Sequence, residues 1–309
     1  MMSLAFVFPG QGSQSVGMLQ DLAAAFPAVE ATFGEASAAL GYDLWDVVQN
    51  GPADKLNQTD VTQPAMLGAG VAVWRIWQEK GGAAPALMAG HSLGEYTALV
   101  CAGALDFSDA VRLVAERGRL MQEAVPAGEG AMAAILGLED EAVAQVCAEA
   151  AEGAVLSPVN FNSPGQVVVA GQKAAVERAV ALAKEKGAKR ALLLPVSVPS
   201  HCALMQPAAE KLAAVLEGID IHKPAIPVIN NADVALMEDA ETIRAALVKQ
   251  LHSPVRWVEI IRKMAADGVD RLIECGPGKV LTGLNKRIER GMTAQPVYDP
   301  DSLASALES

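Results

Sequence analysis

Apolar positions in this chain follow two alternating rhythms. Short apolar runs of strand length stand between Gly, Pro or Ser breaks at residues 4–8, 86–89, 131–136, 155–161, 166–170, 191–196, 226–229 and 269–274. Between them lie longer stretches whose apolar residues recur every three or four positions, the spacing of one helical face. Helices are expected over 19–26, 29–40, 139–151, 173–186, 204–216, 238–251 and 255–266. Gln63-Pro64 reads as the opening of a helix that ends at Lys80 before Gly81-Gly82, and Ser108 as the N-cap of a helix over 109–125. A last helix to Arg290 and a short tail complete the pattern.

Pro126-Ala127-Gly128-Glu129-Gly130 interrupts this order, and the residues after it read as strand, helix, two strands joined at Ser163-Pro164-Gly165, helix and strand. The expectation is an α/β fold. An α/β-hydrolase-like core with a mostly parallel sheet would span 1–128 and 198–309, with an inserted ferredoxin-like βαββαβ subdomain at 129–197.

The 309 residues, 51% of them hydrophobic and only 4% aromatic, can bury a large core built on alanine-lined contacts. A formal charge of −12 argues against nucleic acid and anionic membranes as partners. No apolar run reaches membrane-spanning length, and Met1-Met2-Ser3 leads into a strand without a signal-peptide order. Cys101, Cys147, Cys202 and Cys275 are scattered, with no metal-ligand or redox spacing. The expectation is a cytoplasmic protein with reduced thiols, no metal and no cofactor.

The strand ending at Ala89 runs into Gly90-His91-Ser92-Leu93-Gly94 and then an apolar, helix-forming run, the pattern of a nucleophile elbow. Glycines two before and two after the serine are needed because a Cβ there would strike the adjoining strand or helix. Ser92 would stand at the carboxyl edge of the sheet, with the Leu93 N–H in the first helical turn aimed at the same point. Two glycine-rich loops fail as nucleotide sites. Gly10-Gln11-Gly12 needs a glycine where Ser15 stands, and Gly276-Pro277-Gly278-Lys279 has Ile273 and Val280 at the positions a phosphate loop reserves for glycine and a hydroxyl residue.

A serine nucleophile needs a base, and the chain has four histidines. His91, next to the serine in a tight turn, suits the wall of the site. His222 suits an exposed loop, and His252 a helix end. His201, after Val198-Pro199-Ser200 at a strand-to-helix junction, stands where a base would, although pattern alone leaves a structural role equally open. Arg117, beside Glu116 and Arg119, reads by pattern as part of a solvated helix face.

Five segments fall in one order: Phe8-Pro9-Gly10-Gln11-Gly12-Ser13-Gln14, Thr62-Gln63-Pro64-Ala65, Gly90-His91-Ser92-Leu93-Gly94-Glu95, Arg117 and Val198-Pro199-Ser200-His201. Over essentially its full length the chain resembles the malonyl-CoA:acyl-carrier-protein transacylases of bacterial fatty-acid synthesis, with the acyltransferase domains of polyketide synthases as wider kin. The resemblance implies a ping-pong transfer of malonyl from malonyl-CoA to the phosphopantetheine thiol of acyl carrier protein, with Ser92 as nucleophile and His201 as base. It further implies backbone N–H groups of Gln11 and Leu93 as the oxyanion hole, the Gln250 backbone carbonyl as the orienter of His201, and Arg117 as the reader of the malonyl carboxylate. Asn160 and Asn162 would line the cleft or simply end a strand. Ser200 stands where malonyl-reading polyketide acyltransferases usually carry a bulky aromatic, so methylmalonyl is not excluded by that position. A serine hydrolase would share the elbow and base, and a non-catalytic carrier-binding module would lack a working pair. Carrier proteins of this family are acidic. Two basic clusters could receive one: Lys184, Lys186, Lys189 and Arg190, or Lys286, Arg287 and Arg290, with the second favoured.

Overall fold

The computed structural model describes residues 3–196 and 198–308. Positions 1, 2, 197 and 309, which include the ends of the segments drawn from sequence, lie outside the described residues. Among the described residues ten strands form two sheets: β1 (Ser3–Phe8), β2 (Leu87–Gly90), β3 (Gly130–Leu136), β4 (Leu156–Ser163), β5 (Gln166–Gln172), β6 (Arg190–Leu193), β7 (Val228–Ile229), β8 (Leu236–Met237), β9 (Val269–Cys275) and β10 (Thr293–Val297). The larger sheet has the order β10-β9-β1-β2-β7-β8, parallel throughout except for the β7–β8 pair.

Strand β1 sits at the middle of that sheet and is buried on both faces, as a parallel strand covered by helices must be. Its alternation sorts the core. Leu4, Phe6 and Phe8 join one hydrophobic cluster, whereas Ala5 and Val7 join the cluster on the other face. On the first side the Phe6 ring meets Trp74 and Trp77 edge-on, both at 5.2 Å between centroids. These tryptophans come from the helix Thr59–Glu79, which packs with Phe107–Ala124 on that face; Trp257–Ala266 and Val280–Ile288 cover the other.

The smaller sheet, β4-β5-β3-β6, is antiparallel. The helices Asp140–Ala151 and Lys173–Glu185 pack on one of its faces with Ala133, Ile135, Val167 and Val169. The other face carries Met132, Val159, Val168 and Ala170 against Cys202. Hydrogen bonds between Val255 and the backbone of Val159 and Phe161, at 2.8 and 3.0 Å, tie this sheet to the larger body.

Three local expectations need correction. The helix thought to open at Gln63-Pro64 begins at Thr59 and contains Pro64. Proline disfavours helix in the residue before it, but here packing prevails: a Cβ on Gly118 of the adjacent helix would lie 2.7 Å from the Thr59 carbonyl. Asp106, not Ser108, caps the helix Phe107–Ala124, its carboxylate accepting the Asp109 N–H at 3.1 Å. The expected tail is instead the edge strand β10 followed by the helix Pro300–Leu307, capped by Asp299 and Ser302. Pro296 had masked the strand, and an edge position is where a sheet tolerates proline. Among the described residues no helix is long and apolar enough to cross a membrane.

Candidate active site

The carboxyl ends of β1 and β2 meet at the elbow. A Cβ on Gly90 would fall 1.8 Å from the Gly94 carbonyl carbon, and one on Gly94 would fall 2.0 Å from the Phe8 carbonyl oxygen. Only glycine lets the strand, the turn and the helix Gly94–Cys101 approach this closely. Between them Ser92 is held at φ 52°, a left-handed conformation that non-glycine residues rarely adopt.

His201 is brought to Ser92 from far along the chain. Its Nε2 lies 2.7 Å from Ser92 Oγ, and its Nδ1 lies 2.8 Å from the Gln250 carbonyl oxygen. A carbonyl can only accept, so the imidazole proton is on Nδ1 and the Nε2 lone pair faces the serine hydroxyl. Burial, with the Arg117 charge second, pushes the His201 pKa down to about 3. The imidazole is therefore neutral and able to accept a proton. Next to it, the Cys202 thiol is turned toward the Pro199 carbonyl at 3.2 Å and pushed by burial up to about 11, which leaves it unreactive.

Arg117 is 1% exposed and not part of a solvated face. Its Nη1 donates to Gln63 Oε1 at 2.9 Å, and its Nη2 to Gln250 Oε1 at 2.9 Å and to Ser92 Oγ at 3.4 Å. The guanidinium lies over the Tyr96 ring, 5.2 Å from its centroid. Its Nε–H has no partner among the described residues. A buried cation held by neutral groups and one ring, with a donor unused, is prepared for an anion.

Ser92, His201, Arg117, Gln11 and Leu93 all line one cleft of about 110 Å³, with Gln63, Asn160, Met132 and Leu194 among the other walls. No protein acceptor takes the Leu93 or Gln11 N–H among the described residues. His91 also lines the cleft; its Nε2 meets Asn162 Oδ1 at 2.8 Å and its ring packs against Trp257. His222 is exposed beside Asp220, and His252 sits at the end of the helix Ala240–Leu251. No group of three or more His, Cys, Asp or Glu side chains among the described residues could hold a metal ion.

Sequence reasoning missed the residues that hold the site together. Asn231 clamps the elbow: its Oδ1 accepts the Ser92 N–H and its Nδ2 donates to the Gly90 carbonyl, both at 2.7 Å. Glu95 Oε2 accepts the Asn231 N–H at 2.8 Å and Gln250 Nε2 at 3.0 Å. The Gln250 side chain also donates to the Ser92 carbonyl at 3.0 Å. Glu95 and Gln63 lay inside recognisable motifs without an assigned role. Asn231 had one signal, its place just after a short strand that reaches the same sheet edge.

An acyl transferase domain matches residues 5–299 of the chain. The malonyl CoA-acyl carrier protein transacylase of Escherichia coli (strain K12) is 64% identical over 308 residues, covering 100% of both chains. A solved structure of a type II PKS acyl-carrier protein in complex with its malonyl-transacylase superposes with a TM-score of 0.98 at 63% identity, covering 99% of each chain. An acyl carrier protein S-malonyltransferase from Vibrio cholerae O1 gives a TM-score of 0.96 at 63% identity, covering 98% of this chain and 99% of that one. With a match across nearly its whole length and near-identical geometry, the chain belongs to the acyl transferase family, among the malonyl CoA-acyl carrier protein transacylases.

Proposed function

We propose that the chain transfers malonyl from malonyl-CoA to the phosphopantetheine thiol of acyl carrier protein, supplying extender units for fatty-acid synthesis. The observation that carries this reading is the meeting of three groups at one oxygen. Ser92 Oγ is 2.7 Å from a neutral imidazole and 3.4 Å from a buried guanidinium. The first pair makes a nucleophile. The guanidinium makes the site selective for an acyl group that ends in a carboxylate.

The steps follow from the residues. Ser92 Oγ attacks the thioester carbonyl carbon as its proton passes to His201 Nε2. The oxyanion accepts the N–H groups of Leu93 and Gln11, and the tetrahedral adduct collapses by breaking the carbon–sulfur bond. The leaving CoA sulfur takes the proton from Nε2. The carrier thiol then enters, gives its proton to His201, and attacks the acyl-enzyme, so that Ser92 recovers its proton as it leaves. The Gln250 carbonyl keeps the Nδ1–H fixed through both halves. The reading calls for no cofactor, because nucleophile, base, oxyanion donors and carboxylate reader all come from the chain.

The topology supports an α/β-hydrolase-like core over 1–128 and 198–309 with a ferredoxin-like insertion over 129–197. The order β4-β5-β3-β6 with two helices on one face is that of a split βαβ unit. The four free cysteines suit a cytoplasmic setting.

Incubation with malonyl-CoA and mass analysis of the Ser92 peptide tests the function. A malonyl adduct is expected on Ser92, stable in water and discharged by holo carrier protein. Ser92→Ala should form no adduct, and His201→Ala should form it about a thousandfold or more slowly. Rapid loss of the adduct to water would make the chain a hydrolase, and failure to acylate would make it a non-catalytic carrier-binding module.

A further inference from the structure

The buried carboxyl group of Glu95 is left over from the mechanism. It lies in the first turn of the helix after Ser92, fully buried, with two hydrogen bonds into Oε2 and, among the described residues, no partner on Oε1. One side-chain amide separates it from Arg117. Gln250 Oε1 accepts from Arg117 Nη2 at 2.9 Å while Gln250 Nε2 donates to Glu95 Oε2 at 3.0 Å. The hydrogen-bond partners of Arg117 among the described residues are all neutral, so Glu95 is the anion available to balance it.

We propose that Glu95 balances the charge of the acyl pocket, taking up one proton when a substrate carboxylate settles on Arg117 and releasing it when that acyl group departs. The proposal rests on the malonyl-transfer reading above. In the empty pocket one cation faces one anion across Gln250. A bound malonyl group adds a second anion to the same guanidinium in a water-poor space, and two carboxylates sharing one cation hold a proton between them more tightly. An acetyl group adds no charge and leaves Glu95 as it was.

The surroundings of Glu95 suit this role. Burial is the largest influence and raises its pKa; the bonds from Gln250 and Asn231 and the charge of Arg117 oppose it, and Asp233 adds to the rise, for a value of about 7. Asp233 is itself paired with Lys249, and Tyr96, next to Glu95 on its helix, is pushed up to about 12 and stays neutral. A carboxyl group poised near neutrality can change state with one nearby charge. Glu95 also holds the Asn231 N–H, and Asn231 clamps the elbow, so the same carboxyl group reaches both the acyl reader and the nucleophile.

The test counts protons. Acylation moves the Ser92 proton to CoA and consumes none, so any net uptake belongs to another group. Wild-type protein is mixed with malonyl-CoA in weakly buffered indicator solution at about pH 8, one unit above the Glu95 value. Uptake should approach one proton per malonyl-enzyme. None should accompany acylation by acetyl-CoA or by the neutral amide analogue of malonyl-CoA. Glu95→Gln should form malonyl-enzyme without uptake. Its malonyl-to-acetyl ratio should be flat with pH, whereas the wild-type ratio falls by about tenfold per pH unit above the Glu95 value. A merely structural Glu95 would move neither readout. Malonyl-enzyme formed by the wild type without uptake, or with the same uptake in Glu95→Gln, overturns the proposal, and the wild-type comparison of the three thioesters decides it even if the variant does not fold. Absence of malonyl-enzyme altogether would overturn the functional reading instead.

Discussion

Ser92 and His201 meet at 2.7 Å, and each reaches that contact from a left-handed backbone, at φ 52° and 65°. Neither residue type prefers this conformation, and each is held in it by hydrogen bonds from distant parts of the chain. Asn231 Oδ1 accepts the Ser92 N–H. The His201 N–H donates to the Leu251 carbonyl at 3.0 Å, and its Nδ1–H to the Gln250 carbonyl. Both carbonyls belong to the last turn of the helix Ala240–Leu251, where the regular helical ladder ends and carbonyls can accept from donors outside it. In the proposed mechanism the negative end of that helix would take the place of a triad aspartate and favour the imidazolium formed as Ser92 attacks.

The elbow should not accept a methyl group on either glycine. With Cβ positions 1.8 Å and 2.0 Å from backbone atoms, Gly90→Ala and Gly94→Ala must push β1, β2 or the adjoining helix apart. Each substitution should lower stability by about 3 kcal/mol or more, measured by denaturant unfolding, and abolish acylation of Ser92. Wild-type stability in either variant would show that the turn is looser than its geometry requires.

Arg117→Ala should separate two acyl groups. Loss of a bidentate charged pair in a closed pocket is worth about 2–5 kcal/mol by truncation, so malonyl transfer should fall by roughly thirtyfold to several thousandfold. Acetyl transfer should hold or rise, because the guanidinium charge no longer disfavours the His201 imidazolium. Parallel measurements with malonyl-CoA and acetyl-CoA decide this. Equal losses would make Arg117 a structural residue.

The depressed His201 pKa fixes the sign of two pH effects. Because the native imidazole stays neutral down to about 3, acylation with acetyl-CoA should show no acid limb at the ordinary histidine value of 6.5. Stability should move the other way. Between 6.5 and about 3 the unfolded chain binds a proton that native His201 refuses, so this residue lowers stability as pH falls through that window and has no effect above it. Removing the charge in Arg117→Ala should raise the native value, although burial, the larger cause, remains. An acid limb near 6.5 in the wild-type acetylation profile would contradict the buried, neutral base.

How much of this was legible in the sequence depends on how local each signal is. The elbow could be read because strand, Gly-x-Ser-x-Gly and helix are contiguous, and the reason is the clash that a Cβ would make at Gly90 and Gly94. The βαββαβ order was legible for the same reason, as a run of neighbouring elements. Arg117 was singled out only by the family resemblance and not by local pattern: its helix mixes exposed ion pairs such as Arg119–Glu116 with a buried guanidinium, and neighbouring charges look alike until the fold turns one of them inward. Asn231 and the Gln250 side chain act on Ser92 across more than a hundred residues, and no local pattern distinguishes them from other polar residues. The strand β10 was hidden because an edge strand needs little alternation and admits Pro296.

Encounter with the carrier protein should depend on Lys286 and Arg287. This chain has a net charge of −12, so an acidic partner is repelled overall and must be steered by a local patch. In the cluster on β6 and the turn before it, Lys186 is paired with Glu149, and Lys189 lies over Gly137. In the helix Val280–Ile288, Lys286 and Arg287 are exposed and make no ion pair among the described residues, and Arg287 bonds only the Gly283 carbonyl. The helix begins just past the carboxyl end of β9, on the sheet edge that carries Ser92, and its first residue, Val280, is 50% exposed. An apolar spot followed about 9 Å along the axis by two free cations suits an amphipathic acidic helix. Charge reversal at both positions should raise the KM for carrier protein by roughly tenfold or more, with a steep salt dependence, while acylation of Ser92 by malonyl-CoA stays unchanged. If both half-reactions fell together, the substitutions would have disturbed the site itself. If neither fell while reversal of Lys189 and Arg190 slowed the carrier step, the partner would approach from the smaller sheet.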